Sequence, residues 1–347
     1  MNRSFLIGGA LAFAALVVIF LAFTKRQELA QLPEQDGRMA VRFVTDWKAQ
    51  AEQGGFYQAM AMGFYERAGL DVTIIQGGPG INVPQLLAAG AAEFGMGSNS
   101  FIPLNSVAAG APITAVMASF QKDPQVLITH PRNDIKTLED MRGKPIMVSD
   151  ATISAFWVWL RSRFGFEDSQ IRKYTFNLAP FLVDRDAIQQ GYLSSEPYLI
   201  EKEGGFVPQV FLLSDHGYPG YAAFIMTPDR LIDEQPEMVQ AFINASIEGW
   251  ISYLHDDPTP GNALIKSDNP EMTDDVLAQA IDKLKSHGLV ESGDALALGV
   301  GAMSDERWQA FFDVMAANGV YDPALDYRAA YTLSFVNQGH GLTPGTD

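Results

Sequence analysis

Residues 46–75, DWKAQAEQGGFYQAMAMGFYERAGLDVTII, decide how the fold is interpreted. An apolar run, VRFVT, precedes them and predicts a strand, and apolar residues then recur at helical spacing over residues 55–68. Gly69 suits the left-handed residue that ends a helix, and LDVTII predicts a second strand. Asp46 and Trp47 therefore fall in the turn between a strand and a helix, where neither side chain helps to build a core.

The same alternation of strands and helices continues to about residue 120 and restarts after Asp123. It predicts an α/β fold with mostly parallel sheets and helices on the sheet faces. Within the second unit we expect a helix around residues 184–190 and a turn at residues 194–198. A return strand near Tyr221 leads back to the first unit. The expected lobes are residues 38–122 with 220–347 and an inserted lobe of 123–219, joined at residues 121–125 and 215–221.

In open parallel sheets, ligands bind in the crevice outside the carboxyl ends of the strands. This rule places the turn after the first strand, together with several later loops, at the edge of a binding crevice. Trp47 could stack on a planar ligand or pack against the next helix, and Glu196 could be a solvated loop acid. The candidate ligand-binding residues are Asp46, Trp47, Tyr57, Gly78, Ser98, Asn99, Ser149, Thr152, Glu196, Tyr198 and Tyr218.

Composition excludes several classes of function. The chain has 347 residues and a net charge of −17, which disfavours nucleic acid or an anionic membrane surface as a partner. It has no cysteine, so it has no disulfide, thiolate metal site or cysteine nucleophile. Its 5 histidines are widely separated, and neither a nucleophile elbow nor a phosphate-binding loop motif occurs. We therefore predict no enzyme activity, no metal and no cofactor.

The N-terminus carries the only long apolar segment of the sequence. Residues 5–23, FLIGGALAFAALVVIFLAF, are uncharged and are followed by Lys25 and Arg26. This pattern is typical of a secretory signal or a membrane anchor, and no clear cleavage motif follows it. Residues 24–37 read as a polar tether. We expect export to the periplasm, with anchoring to the inner membrane if the segment stays uncleaved.

These motifs, in this order, resemble one known family. The segments DW…GGFYQAMAMGFYERAGLDVTII, VPQLLAAGAAEFGMGSNS, IKTLEDMRGKPIMVS and MTPDRLIDEQPEMVQAFINASIEGW are similar to those of the NMT1/THI5-like periplasmic solute-binding proteins of ABC importers. The similarity extends from about Met39 to Phe335. The resemblance implies a type II Venus-flytrap fold, in which two lobes close on one small molecule, and an ABC permease with its ATPase as partner.

The resemblance also implies a type of ligand. The Asp-Trp start and the Glu-Pro-Tyr turn are most similar to proteins that capture thiamine-pyrimidine precursors, such as formylaminopyrimidine or hydroxymethylpyrimidine, or related heterocycles such as riboflavin. It implies that Trp47 stacks on the heteroaromatic ring and that Glu196 accepts hydrogen bonds from ring amino or imino groups.

One residue departs from the family pattern. Gln53 stands where members often carry a histidine seven places after the aspartate of the Asp-Trp start. The fold family also includes a pyrimidine synthase, which consumes that histidine and uses a cysteine-rich iron-binding motif. This chain has neither feature.

Two alternatives to the heterocycle importer remain: a binder of sulfonate, taurine or nitrate anions, and a membrane-anchored ligand sensor.

Overall fold

The computed structural model describes residues 34–35 and 37–342. The apolar segment of residues 5–23 lies outside them, so signal, anchor and tether remain predictions. In the part of the chain that is described, no helix has both the length and the hydropathy that crossing a membrane requires.

Strands and helices alternate along the described chain. The strands are β1 Glu34–Gln35, β2 Arg38–Val44, β3 Leu70–Ile75, β4 Phe94–Asn99, β5 Ile113–Phe120, β6 Gln125–Thr129, β7 Ile146–Val148, β8 Ile171–Lys173, β9 Ile188–Tyr192, β10 Gln209–Leu212 and β11 Ala222–Pro228. The α-helices are α1 Gly54–Ala61, α2 Phe64–Arg67, α3 Val83–Ala88, α4 Phe101–Ala108, α5 Asp150–Ile153, α6 Phe156–Phe164, α7 Ala179–Val183, α8 Glu196–Gly204, α9 Asp229–Glu234, α10 Pro236–His255, α11 Thr259–Asp268, α12 Asp274–Ser286, α13 Ala295–Leu298 and α14 Asp305–Ala317.

The strands form two sheets, one in each lobe. The first has the order β1-β2-β4-β11-β5, with β3 also paired to β2, and the second has the order β10-β6-β9-β7-β8. Both sheets are mixed: β2 runs parallel to β3 and β4, but β11 is antiparallel to β4 and β5. The chain leaves the first sheet at Phe120 and re-enters opposite it at Ala222, so the returning strand must run in the opposite direction. The two-lobed α/β fold is confirmed, but both sheets are mixed instead of mostly parallel.

Of two local expectations in the second lobe, one is wrong and the other holds only in part. The helix expected around residues 184–190 is absent, because Asp186 N–H donates to Asp184 Oδ1 (3.0 Å) in a local turn, and β9 follows. The turn expected at residues 194–198 ends at Ser195, and α8 begins at Glu196. In both places an acidic residue next to an apolar one is compatible with more than one local structure. At residues 188–192, the pairing of β9 with β6 and β7 stabilises the strand.

Helix α1 carries the chain from the first strand into the lobe, and its position depends on a close approach to α10. A Cβ atom added at Gly249 of α10 would lie 2.1 Å from the Gly55 carbonyl oxygen and 2.6 Å from the Ala59 Cβ. On the sheet side, Phe242 of α10 stacks on Phe94 of β4 with ring centroids 4.0 Å apart. Glycine at position 249 therefore lets α1 and α10 lie against the same sheet.

We expect Gly249→Ala to lower the free energy of unfolding by about 1–3 kcal/mol, because the added methyl group overpacks the contact between the helices. The gain in helix propensity, about 1 kcal/mol, opposes this loss. Urea denaturation measures the difference. Gly78→Ala is the matched control, since a Cβ atom there meets nothing within 4 Å. Equal stabilities of the two variants would contradict the packing argument.

The two chain segments that connect the lobes are held together by Arg307 of α14. Its guanidinium donates to the carbonyl oxygens of Gln121 on one segment and of Gly220 on the other (3.0 Å for Gly220). The same group lies 3.9 Å from the ring centroid of Tyr221. Asp123 is buried beside this junction, and its Oδ1 accepts a hydrogen bond from Gln125 N–H at 3.0 Å.

Burial raises the pKa of Asp123 to about 7 from an ordinary value of 3.8, although the Gln125 hydrogen bond and Arg307 oppose the rise. A raised carboxyl pKa means that the folded protein retains a proton that the unfolded chain loses. The stabilising contribution is complete below pH 4 and is lost as pH rises to about 7.

Asp123→Asn should therefore gain stability relative to the unchanged protein between pH 4 and 7, on the order of 2–4 kcal/mol at the upper end. Denaturant unfolding at a series of pH values measures this difference, in which the titrations of other groups cancel. A difference that stays constant across the range would rule out titration of Asp123.

Candidate functional site

A cavity of about 240 Å³ lies between the two sheets and is lined from both lobes. The first lobe contributes Asp46, Trp47, Gln50, Glu52, Gln53, Met96, Ser98 and Asn99. The second lobe contributes Gln125, Ser149, Ala151, Thr152, Ala155, Phe156, Phe176, Gln190, Gly191, Tyr192, Ser195 and Glu196. The set combines a few aromatic rings with many amide, hydroxyl and carboxyl groups.

Asp46 and Trp47 are positioned by a turn that a neighbouring loop holds in place. Thr45 Oγ1 donates to the Trp47 carbonyl oxygen at 2.7 Å, and Gly77 N–H reaches both that oxygen (3.1 Å) and Thr45 Oγ1 (3.0 Å). A Cβ atom at position 77 would lie 2.3 Å from the Thr45 carbonyl oxygen, so only glycine permits this approach. The turn thereby directs both side chains into the crevice.

On the opposite wall, Gln190 of β9 organises the start of α5. Its Oε1 accepts hydrogen bonds from Ser149 N–H (2.6 Å) and from the Thr152 hydroxyl (2.7 Å). The Ser149 and Thr152 hydroxyl oxygens lie 3.0 Å apart. These bonds fix two hydroxyl groups at the cavity surface without a charged residue.

Glu196 is held at the first position of α8, and its carboxylate accepts two hydrogen bonds. Tyr192 N–H donates to Oε2 at 2.7 Å, and the Tyr174 hydroxyl donates to Oε1 at 3.2 Å. The start of a helix also favours a negative charge. The carboxyl group is therefore fixed in direction toward the cavity.

Three carboxyl groups share the cavity. Burial raises the pKa of Asp46, of Glu52 and of Glu196 above the ordinary values. For Glu52 the charges of the other two acids add to the rise, while the Ser194 hydroxyl, which donates to Glu52 Oε1 from the second lobe, opposes it. Ionising these groups therefore costs more here than in water, and a bound molecule that donates hydrogen bonds to them lowers that cost.

No lysine, arginine or histidine is among the residues that line this cavity in the described chain. Asp46 Oδ1 and Gln125 Oε1 are buried acceptors that no described side chain or backbone group satisfies. The acids are not arranged for a metal either, since no described group of three or more His, Cys, Asp or Glu could hold one. A ligand with several N–H donors would supply the missing hydrogen bonds.

Seven of the eleven residues predicted from sequence lie around this one cavity. They are Asp46, Trp47, Ser98, Asn99, Ser149, Thr152 and Glu196. The structure places them together; whether they contact a ligand remains a prediction.

The other four predicted residues lie elsewhere. Tyr57 is buried under α11 and donates to Asp268 Oδ2 at 2.8 Å, because its helix face points toward α10 and α11. Tyr218 is buried against the Trp159 ring at 5.2 Å, and Gly78 is not part of the cavity wall. Tyr198 lies two residues past Glu196 on α8 and contacts Asp275 of the first lobe instead.

Sequence reasoning missed several lining residues. Gln190 and Tyr192 lie at the end of β9, and the strand-end rule selects them only once residues 188–192 are recognised as a strand, whereas a helix is expected from the sequence around residues 184–190. Phe156 begins α6, and an aromatic residue on a helix does not by itself distinguish a cavity wall from core packing. Nothing in the sequence indicated Phe176, because its place depends on the loop conformation after β8.

Comparison with known proteins defines the family. Residues 50–260 match the family described as NMT1/THI5 like, which is more than half of the chain. The chain belongs to this family. The matched part includes most of the cavity wall and both connections between the lobes.

Individual relatives are distant. A riboflavin-binding protein, RibY, of Chloroflexus aurantiacus is 21% identical over 295 residues, covering 82% of each chain. The 4-amino-5-hydroxymethyl-2-methylpyrimidine phosphate synthase of Schizosaccharomyces pombe is 24% identical over 230 residues, 62% of this chain and 66% of that protein. The periplasmic aliphatic sulphonate binding protein SsuA from Escherichia coli superposes with a TM-score of 0.63 at 16% identity, covering 84% of this chain and 91% of that one. The last likeness shows the fold alone.

The lobes also meet outside the cavity. The Tyr198 hydroxyl and Lys202 Nζ of α8 donate to Asp275 Oδ2 at the start of α12, at 2.5 Å and 2.8 Å. The Lys202 ammonium lowers the pKa of Asp275. This contact lies at the surface and links the second lobe to the first.

Tyr198→Phe removes one of these bonds and leaves the cavity wall unchanged. We expect the ratio of open to closed conformers to rise by less than about fivefold, as suits an exposed contact. Small-angle scattering of the unliganded protein measures this as a larger radius of gyration. Tyr253→Phe is the control, because it removes a bond to Asn262 within one lobe. Equal changes in both variants would show that the Asp275 contact does not favour closure.

Proposed function

We propose that the chain is the solute-binding component of an ABC importer and captures a small nitrogen heterocycle between its lobes. The ligand class that fits best is a single-ring aminopyrimidine of the thiamine-precursor type. The observation that carries the proposal is a cavity whose ionisable lining groups are acids, with Trp47 at its edge.

Charge favours a ligand rich in N–H donors or carrying a positive charge. Each buried carboxylate costs free energy unless it is hydrogen-bonded or paired. Amino and ring N–H groups of a pyrimidine would donate to Asp46 and Glu196, and a protonated ring nitrogen would offset part of their charge.

The size of the cavity favours a ligand with a single ring over one with the three fused rings of a flavin. The cavity of about 240 Å³ lies below the range of roughly 300–1,000 Å³ that is usual for pockets of drug-sized ligands, which suits a substituted six-membered ring. A flavin would require the lobes to stand further apart. Riboflavin nevertheless belongs in the experiment, because one relative is named as a riboflavin-binding protein.

The sulfonate alternative is disfavoured by the same chemistry. Anion sites hold their ligand with arginine side chains or free helix N-termini. Here the start of α8 carries Glu196, and the described cavity wall has no arginine. A sulfonate would face three carboxyl groups.

Catalysis is not part of the proposal. Gln53 stands where the related synthase consumes a histidine, and its Oε1 accepts a hydrogen bond from Gln50 N–H at 3.1 Å. The Gln53 amide cannot replace the imidazole that the synthase consumes, and the sequence has no cysteine for an iron-binding motif. On this proposal, the chain and the synthase share the fold and the binding of a pyrimidine ring.

The proposal includes location and movement. The protein would act in the periplasm and deliver its ligand to a membrane permease with an ATPase, with residues 5–23 as signal or anchor. The lobes would close by bending at residues 121–125 and 215–221, the segments that Arg307 bridges.

A thermal-shift panel of hydroxymethylpyrimidine, formylaminopyrimidine, riboflavin and taurine tests the ligand class, since a ligand bound by the folded state raises the melting temperature. We expect the two pyrimidines to give the largest shifts. A shift with taurine alone would overturn the proposal in favour of an anion binder.

Two substitutions test the site with the best pyrimidine. Trp47→Ala should weaken binding by about 1–3 kcal/mol through lost stacking and buried area. Glu196→Gln keeps the shape and removes the charge, so it should weaken ligands with N–H donors in particular. Titration calorimetry measures both.

Glu201→Gln is the matched control, because Glu201 is an exposed acid on the same helix as Glu196. Melting temperatures of all variants separate binding from folding. A lowered melting temperature with unchanged affinity for Trp47→Ala would show that Trp47 is a structural residue.

A further inference from the structure

Phe176 combines three unusual properties. It follows β8 in the second lobe, its side chain is 50% exposed, and its backbone φ is +60°. The left-handed region is rare for a bulky residue and is normally occupied by glycine or asparagine. Nothing in core packing explains such a conformation, since half of the ring faces solvent.

The ring of Phe176 contacts Trp47 of the other lobe. The two ring centroids are 5.1 Å apart, with the planes tilted by 51°. Both residues line the cavity. This aromatic pair therefore forms only when the lobes are close, and it lies over the cavity opening next to the proposed ligand.

The ring of Phe176 also packs against Tyr174 of its own lobe, and the two ring centroids are 5.3 Å apart. Tyr174 is buried, and its hydroxyl donates to Glu196 at 3.2 Å. A continuous chain of contacts thus runs from the carboxyl group at the cavity wall to the ring at its opening. The strained conformation holds the ring in the one place where it meets Trp47.

We propose that Phe176 is a gate and specificity residue: on closure its ring covers Trp47, shuts the cavity from solvent and slows release of the ligand. This proposal rests on the function proposed above and adds a residue to it. At 5.1 Å the two rings leave no room for a third ring between them, so the ligand lies beside the pair, against the inner side of Trp47. Ligands with a bulky ring substituent at the opening are excluded because they separate the pair.

Three variants test the gate. Phe176→Gly removes the ring and relieves the backbone, Phe176→Tyr keeps the ring, and Val183→Ala alters an apolar residue of the same lobe that is 83% exposed and outside the cavity. Phe176→Gly should fold at least as well as the unchanged protein. A lowered melting temperature for this variant would overturn the argument from strain.

The first measurement is acrylamide quenching with hydroxymethylpyrimidine at saturation, which populates the closed conformation in which the two rings meet. The chain has 5 tryptophans, and Trp157, Trp159, Trp250 and Trp308 are at most 3% exposed, so acrylamide quenches chiefly Trp47. We expect stronger quenching in Phe176→Gly and unchanged quenching in Phe176→Tyr and Val183→Ala. Equal quenching in all variants would show that Phe176 does not cover Trp47, and the gate would be rejected.

The second measurement uses hydroxymethylpyrimidine and stopped-flow fluorescence. Phe176→Gly should dissociate about tenfold faster, the loss expected for one aromatic contact, with a nearly unchanged association rate. Phe176→Tyr should restore slow release. Unchanged release from Phe176→Gly would overturn the gate while leaving the proposed function intact.

If the unchanged protein binds neither pyrimidine, the function proposed above fails and the gate fails with it; if the unchanged protein binds but quenching and release are the same in all variants, only the gate fails. The two failures are therefore distinguishable.

Discussion

Three carboxyl groups in one small cavity, with no cation in the described wall, are the constraint on which the site depends. Burial raises the pKa of each, so bringing the lobes together without a ligand either desolvates negative charge or takes up protons. A donor-rich ligand removes that cost. Because a ligand shifts a conformational equilibrium only by its differential affinity for the two states, these acids make closure depend on the correct ligand. The polar bonds around them, at Gln190 and Tyr192, hold the receiving atoms in place.

Much of the first lobe could be predicted from the sequence, since its helices and strands alternate regularly and the strand-end rule depends on topology alone. That rule selected Asp46, Ser98 and Ser149 correctly as neighbours in space, although they are far apart in the chain. It failed where local patterns are ambiguous. Tyr57 is a residue type common in binding pockets, but it lies on the buried face of its helix. The position of Phe176 depends on a positive φ that the neighbouring residues do not predict.

Fold similarity and site chemistry give different information about this chain. A sulphonate-binding protein of the same fold superposes over most of its length at 16% identity, yet the wall of this cavity has acids where an anion would need cations. The sheets fix where the loops meet, whereas the loop side chains decide what they can hold. The amide-rich wall formed by Gln50, Gln53 and Gln125 can adapt its donors and acceptors to a heterocycle, while the carboxyl groups set the sign of the charge.

Closure and recognition are coupled through the same residues. Glu52 faces the cavity from the first lobe and accepts the hydroxyl hydrogen of Ser194 from the second, and Gln279 of the first lobe donates to the Ser194 carbonyl oxygen at 2.6 Å. The bond between Glu52 and Ser194 forms only when the lobes are close, and it offsets part of the rise in the pKa of Glu52 that burial causes. The Ser194 hydroxyl thus reduces, without cancelling, the cost of burying Glu52 as the cavity is shut from water. A ligand that donates to this cavity therefore stabilises the closed conformation. By linkage, the bonds that form between the lobes on closure favour binding of the ligand.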